Sequence, residues 1–134
     1  MNVTTRHIEG STAIAGSAGG IPTSSIAIPL LPGQGSWAVT GVIQAVRADG
    51  KHGAVTFFPR IGGSCFNGLA TSNTTEMMPI EPVDEGAAQG FQPGGVSLVG
   101  AKGQGRQVEI ALEGVAGVAV CWAWSLDVLT FATP

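Results

Sequence analysis

The side chains with the widest chemical range in this sequence are two histidines, His7 and His52, and two cysteines, Cys65 and Cys121. An imidazole beside a thiol or hydroxyl can serve as general base to a nucleophile, but only if the fold brings both within hydrogen-bond reach. Neither histidine has a local partner along the chain. His52 follows the Asp49-Gly50 dipeptide in a turn, so a Cys–His pair would need Cys65 or Cys121 to approach from far away in sequence. The cysteines lack metal-ligand spacing and are too few for a disulfide framework, which leads us to expect two free, buried thiols. Four acidic groups, Glu76, Glu81, Asp84 and Glu85, lie in a Pro- and Gly-rich stretch that reads as a solvated loop rather than a carboxylate pair. We therefore expect no catalytic, cofactor or metal site.

Other motifs fall short for stated reasons. The glycine-rich pieces GSAGG and GAKGQG neither follow a strand nor open a helix, and no Gly-Lys-Ser or Gly-Lys-Thr is present, so they read as turns. Asn2-Val3-Thr4 and Asn73-Thr74-Thr75 match a glycosylation acceptor, a match that has meaning only in a secreted chain. Trp37, Trp122 and Trp124 could form a platform for sugar rings, but Trp122 and Trp124 alternate in phase with core-type residues and are expected inside.

The surroundings of these residues are weakly charged. Only 11% of residues are Asp, Glu, Lys or Arg, against the roughly 25% usual for soluble domains. The six Lys and Arg are scattered singly and the formal net charge is −3, which argues against direct nucleic-acid binding. No run of eighteen or more apolar residues suggests a membrane span, and the start MNVTTRHIEG lacks the order of a secretory signal, so a soluble intracellular product is expected. A weakly charged surface favours association with other subunits.

The elements that must carry these residues are strands. Val118, Val120, Trp122, Trp124, Leu126 and Val128 share one face of a period-two segment, while Ala119, Cys121, Ala123, Ser125 and Asp127 share the other. Val120, Trp122 and Leu126 are expected in the core, and Ala119, Ala123 and Ser125 are small enough to let another subunit approach closely. Val108, Ile110 and Leu112 alternate in the strand before it. Residues 37–47 and 52–60 read as a hairpin about Asp49-Gly50, with Phe57 and Phe58 on opposite faces. Between Ile61 and Gly95, glycines and prolines interrupt every run, so only short strands are expected there, around 65–70 and 77–80.

Residues 1–35 are rich in Gly, Ala, Ser, Thr and Pro. Pro22, Pro29 and Pro32 exclude a helix and disfavour a central strand, which predicts an extended N-terminal arm that reaches a partner through Ile26, Ile28, Leu30 and Leu31. Residues 36–134 are then the domain proper: all-β, an antiparallel β-sandwich, with a jelly roll as the expected topology.

The order Val108, Ile110, Leu112, Gly114, Gly117, Val120, Trp122, closing in WSLDVLTF, resembles the end of small jelly-roll virion proteins of tailed bacteriophages. Trp37 followed by a strand, an Asp-Gly turn and an aromatic strand is similar to their front half, so the resemblance spans about residues 37–131. It implies a non-enzymatic homotrimer that attaches to the major capsid protein or other virion proteins and is assembled in the host cytoplasm. A capsid decoration (cement) role is the first expectation, because the chain begins at Met1, is short enough to stand alone and has an apolar arm suited to clamping. A tail-fibre or tail-tip receptor-binding role is the second, and a carbohydrate-binding module the third. No functional residues are implied.

Overall fold

The computed structural model describes residues 2–16, 23–29, 31–51, 54–80 and 96–134, with backbone alone for 71–80 and 97–104. Eight strands run β1 (Asn2–Ile14), β2 (Thr23–Ile28), β3 (Gly35–Arg47), β4 (Ala54–Phe66), β5 (Leu69–Ile80), β6 (Ser97–Gln104), β7 (Gln107–Glu113) and β8 (Val120–Ala132). They form two antiparallel sheets, ordered β1-β8-β3-β4-β5 and β2-β7-β6. The molecule is thus all-β, an antiparallel sandwich. First strand pairs with last and second with next-to-last, while β3, β4 and β5 follow one another as a meander in the larger sheet and β6 pairs with β7 in the smaller one.

Alternation along each strand decides which side chains enter the space between the sheets. The larger sheet sends in Trp37, Val39, Ile43 and Ala45 from β3, Val55, Phe57, Ile61 and Cys65 from β4, and Val120, Trp122, Leu126 and Val128 from β8. The smaller sheet answers with Ile26 and Ile28 from β2 and Val108, Ile110 and Leu112 from β7, all in one apolar cluster. No described polar side chain is buried there. Phe57 and Trp122 stack at the centre, ring centroids 6.2 Å apart and planes 24° from parallel.

The expected division into arm and domain gives way to this arrangement. Residues 2–14 are the edge strand of the larger sheet and 23–28 a strand of the smaller one. Ile26, Ile28 and Leu31 are at most 2% exposed and lie in the chain's own core; Leu30 falls outside the described residues. Pro29 and Pro32 sit in the connection after β2, where they end the strand without keeping it off the sheet. Leu31 is also bonded both ways to Arg106, donating its N–H to the Arg106 carbonyl at 2.9 Å and accepting from Arg106 Nε at 2.7 Å. Apolar side chains with a sheet of their own to cover have no need of a partner.

The interruptions between 61 and 80 are also resolved differently from the short strands expected there. β4 runs straight through Gly62 and Gly63 and is thirteen residues long; the pairing with β5 shifts register there, Gly62 opposing Thr74 and Gly63 opposing Ser72, so that the extra residue, Asn73, is on β5. The chain then turns at Asn67 and Gly68, whose φ values of 51° and 77° suit an Asn-Gly hairpin, into the twelve-residue β5.

Candidate functional site

Among the described residues, the outer wall of the larger sheet carries a polar cluster. It is built from two strands far apart in sequence, because β1 and β8 pair antiparallel over thirteen rungs without a register shift. That register sets His7 opposite Asp127 and Glu9 opposite Ser125. His7 Nδ1 donates to Asp127 Oδ1 at 2.8 Å, and Nε2 is hydrogen-bonded to the Ser125 hydroxyl at 3.2 Å. Glu9 Oε1 lies 3.9 Å from His7 Nε2. The hydrogen-bond partners that His7 lacks along the chain lie 118 and 120 residues away and arrive through strand pairing.

Hydroxyl, imidazole and carboxylate in this order are the elements of nucleophilic acyl transfer. The rest of that apparatus has no place on this wall. Ser125 stands on β8 between β1 and β3, paired with Glu9 on one side and Val42 on the other, so its backbone N–H belongs to a ladder and cannot face an oxyanion. His7 and Asp127 side chains are about half exposed, 48% and 57%, which leaves their interaction screened by water. A shallow depression of about 180 Å³ beside Ser125, lined by Val42, Gln44, Ala123 and Trp124, is too small and open to enclose a substrate. The arrangement clamps β1 to β8.

Of the residues expected at a subunit contact, Ala123 and Ser125 stand exposed on this wall and Ala119 is half-buried just before β8. Val120, Trp122 and Leu126 are in the core as expected, with Trp122 at 1% exposure and its indole N–H without a hydrogen-bond partner among the described residues. Trp37 is buried and Trp124 half-buried across Gly10, so the three indoles form no open platform for a sugar.

Both cysteines are free, but they differ. Cys65 points inward from β4, where burial pushes its thiol pKa up, partly offset by the Arg106 charge, so it is a poor nucleophile. Cys121 is exposed on the outer wall, correcting the expectation of two buried thiols: its phase in β8 is the opposite of Trp122. At the other end of the charge inventory, Arg47 forks onto Asp49 at 2.6 and 3.1 Å in the β3–β4 turn and holds that carboxyl below its usual range. His52 and the acidic residues Glu81, Asp84 and Glu85 lie outside the described residues, and of Glu76 only the backbone is described. Among described residues no group of three His, Cys, Asp or Glu could hold a metal ion, and no helix is long and apolar enough to cross a membrane.

A second feature is apolar. Among the described residues five large hydrophobic side chains are exposed, and four of them, Val3, Phe66, Leu69 and Leu129, lie toward one end of the larger sheet. Strand register explains this placement: Val3 opposes Phe131 across β1–β8, Phe131 opposes Ser36, and Phe66 opposes Leu69 across the Asn67-Gly68 turn. Phe66 also walls an open depression of about 620 Å³, lined besides by Gln34, Gly35, Ser36, Ser64, Cys65, Phe131 and Thr133. It is an open surface rather than an enclosed pocket, which suits a protein surface better than a small metabolite. Sequence reading missed this end because Phe66 and Leu69 flank an Asn-Gly pair, a hairpin signal that would have placed both at an exposed tip.

No protein-family model, no curated protein and no solved structure matches this chain.

Proposed function

We propose that this chain is a non-enzymatic structural protein of a phage virion, a capsid decoration (cement) protein that forms homotrimers and stabilises the assembled head against the major capsid protein. The observation that carries the attachment role is the apolar end of the larger sheet, where Val3, Phe66, Leu69 and Leu129 stand in solvent and Phe66 also walls an open depression. Exposed apolar patches of this kind mark association surfaces. On the wall beside it Ala123 and Ser125 are small enough for copies to approach closely around an axis, with Glu9 and Asp127 toward the rim of that contact. The virion setting is supported by the resemblance of residues 37–131 to small phage jelly-roll proteins.

The Phe66–Leu69 hairpin tip favours one alternative, a tail-fibre or tail-tip protein that presents this end to a host receptor. The carbohydrate-binding alternative loses its basis with Trp37 and Trp122 buried. Immunogold labelling of virions separates the first two readings, with label expected over the head. Particles lacking the protein should burst at lower temperature and under milder osmotic shock than complete ones. Label confined to the tail tip, or particles equally robust without the protein, overturns the cement role.

A further inference from the structure

The geometry points to a self-pairing edge: β1 joins the β1 of a second copy of this chain, antiparallel about a two-fold axis at Ile8, merging two five-stranded sheets into one. The inference is independent of the virion reading.

β1 is the edge strand of the larger sheet, hydrogen-bonded to β8 on one side only. Among the described residues no strand lies beyond it, so every second residue offers an unpaired N–H and C=O to solvent. Edge strands carry protection in the form of prolines, charged side chains or bulges, and in β1 only Arg6 and Glu9 are of that kind. Residues 2–14 contain no Pro and no Lys, and their register against β8 is unbroken over thirteen rungs. Residues 2–7 are exposed on both faces of the sheet, so this half of the strand rests on a single ladder.

The sequence of β1 is self-complementary in one register. Side-chain alternation allows only axes that pair inward residues with inward and outward with outward. An axis at Arg6, His7 or Glu9 sets that residue against its own copy. An axis at Ile8, the midpoint of the thirteen-residue strand, keeps every residue from Asn2 to Ile14 paired. It places His7 opposite Glu9 of the second copy, in both directions, with Thr5 facing Ser11, Thr4 facing Thr12, and Val3 facing Ala13. It also brings Arg6 opposite Gly10 of the second copy. There a side chain is missing because the Trp124 indole crosses the backbone, its Cζ2 only 2.6 Å from where a Cβ would sit. A guanidinium arriving beside that ring gains a cation–π contact. The polar side chains of His7 and Glu9 meet in both directions, and no two residues of like charge stand directly opposite each other.

The test is the mass and register of the full-length protein. The chain is 13.5 kDa, and light scattering at micromolar concentration should give particles of two copies, or of six if the trimer also forms. In a Cys121→Ser background, Ile8→Cys should crosslink into a disulfide dimer under mild oxidation, because residues on the axis are directly opposed. Thr5→Cys should not, since the two copies of residue 5 are then six residues, roughly 20 Å, apart along the strand. Glu9→Lys, at a side chain 75% exposed and tolerant of change, should weaken pairing at least tenfold. A mass of one or three copies overturns the inference, as does equal crosslinking from both cysteine positions or a dimer indifferent to Glu9→Lys. A mass of two copies upholds the edge contact while sinking the trimer.

Discussion

β1 and β8 are both thirteen residues long and are hydrogen-bonded to each other rung by rung, yet they are held in the fold to very different degrees. β8 is paired along its whole length on both sides, to β1 and to β3, and buries Val120, Trp122, Leu126 and Val128 under the smaller sheet. β1 is paired on one side, and only Ile14 at its end is fully buried. Backbone ladders are therefore present in both, and what separates them is apolar area removed from water. A net hydrogen bond contributes about 1 kcal/mol, whereas full burial of a large apolar side chain contributes about 1.5–3 kcal/mol. The centre of the sheet is made by its side chains, and the edge is tied on by the ladder and a surface clamp.

The sharpest way to break the comparison is at the centre. Trp122 is the largest fully buried side chain, stacked on Phe57. Trp122→Ala should cost about 3–5 kcal/mol, read from denaturant or thermal unfolding of the purified protein. A midpoint unchanged within about a degree would show that β8 is not the anchor described here. Its indole N–H already lacks a partner, so the loss is of packing and not of a hydrogen bond.

The same contrast explains what the amino-acid sequence disclosed. β8 was legible because Val120, Trp122, Leu126 and Val128 recur at period two with small or polar residues between them, and the β3–β4 hairpin because Asp49-Gly50 separates two β-branched runs. β1 was not, since NVTTRHIEGSTAI contains few apolar residues and an edge needs few. β2 was misread for the opposite reason: the prolines that bound it hid a strand whose Ile26 and Ile28 pack on Val108 and Ile110. The Gly62-Gly63 pair looked like a break because a register shift and a loop have the same local composition. The His7–Ser125–Asp127 cluster could not have been read at all, because it depends on a pairing register across about 120 residues.

A middle-sized effect is expected where the edge touches the core. Gly10 of β1 lies under the Trp124 indole, and a Cβ there would sit 2.6 Å from Cζ2 and 2.8 Å from Cε2. Gly10→Ala forces the ring or the strand to move and should cost about 1–3 kcal/mol, less than the loss of Trp122 but more than any exposed β1 side chain. Unfolding of this variant, with Trp fluorescence reporting the displaced indole, checks it. A stability equal to that of the parent protein would mean that β1 is free to drift from β8, which the unbroken register does not allow.

The smallest effect should come from the clamp itself. His7 bonds Asp127 at 2.8 Å and Ser125 at 3.2 Å, which in a buried site would be a strong tie between two strands. Here the His7 and Asp127 side chains are both about half exposed, so water screens the attraction and each side chain gives up rotamer freedom to keep it. His7→Ala should therefore lower stability by no more than about 1 kcal/mol, with the β1–β8 ladder left in place. Amide hydrogen exchange gives the local view: amides of residues 2–9 should exchange faster in the variant, while those of β8 bonded toward β3 should keep their protection. A loss above about 2 kcal/mol, or exchange spreading through the β3 side of β8, would show that the polar wall, and not the apolar centre, holds the two strands together.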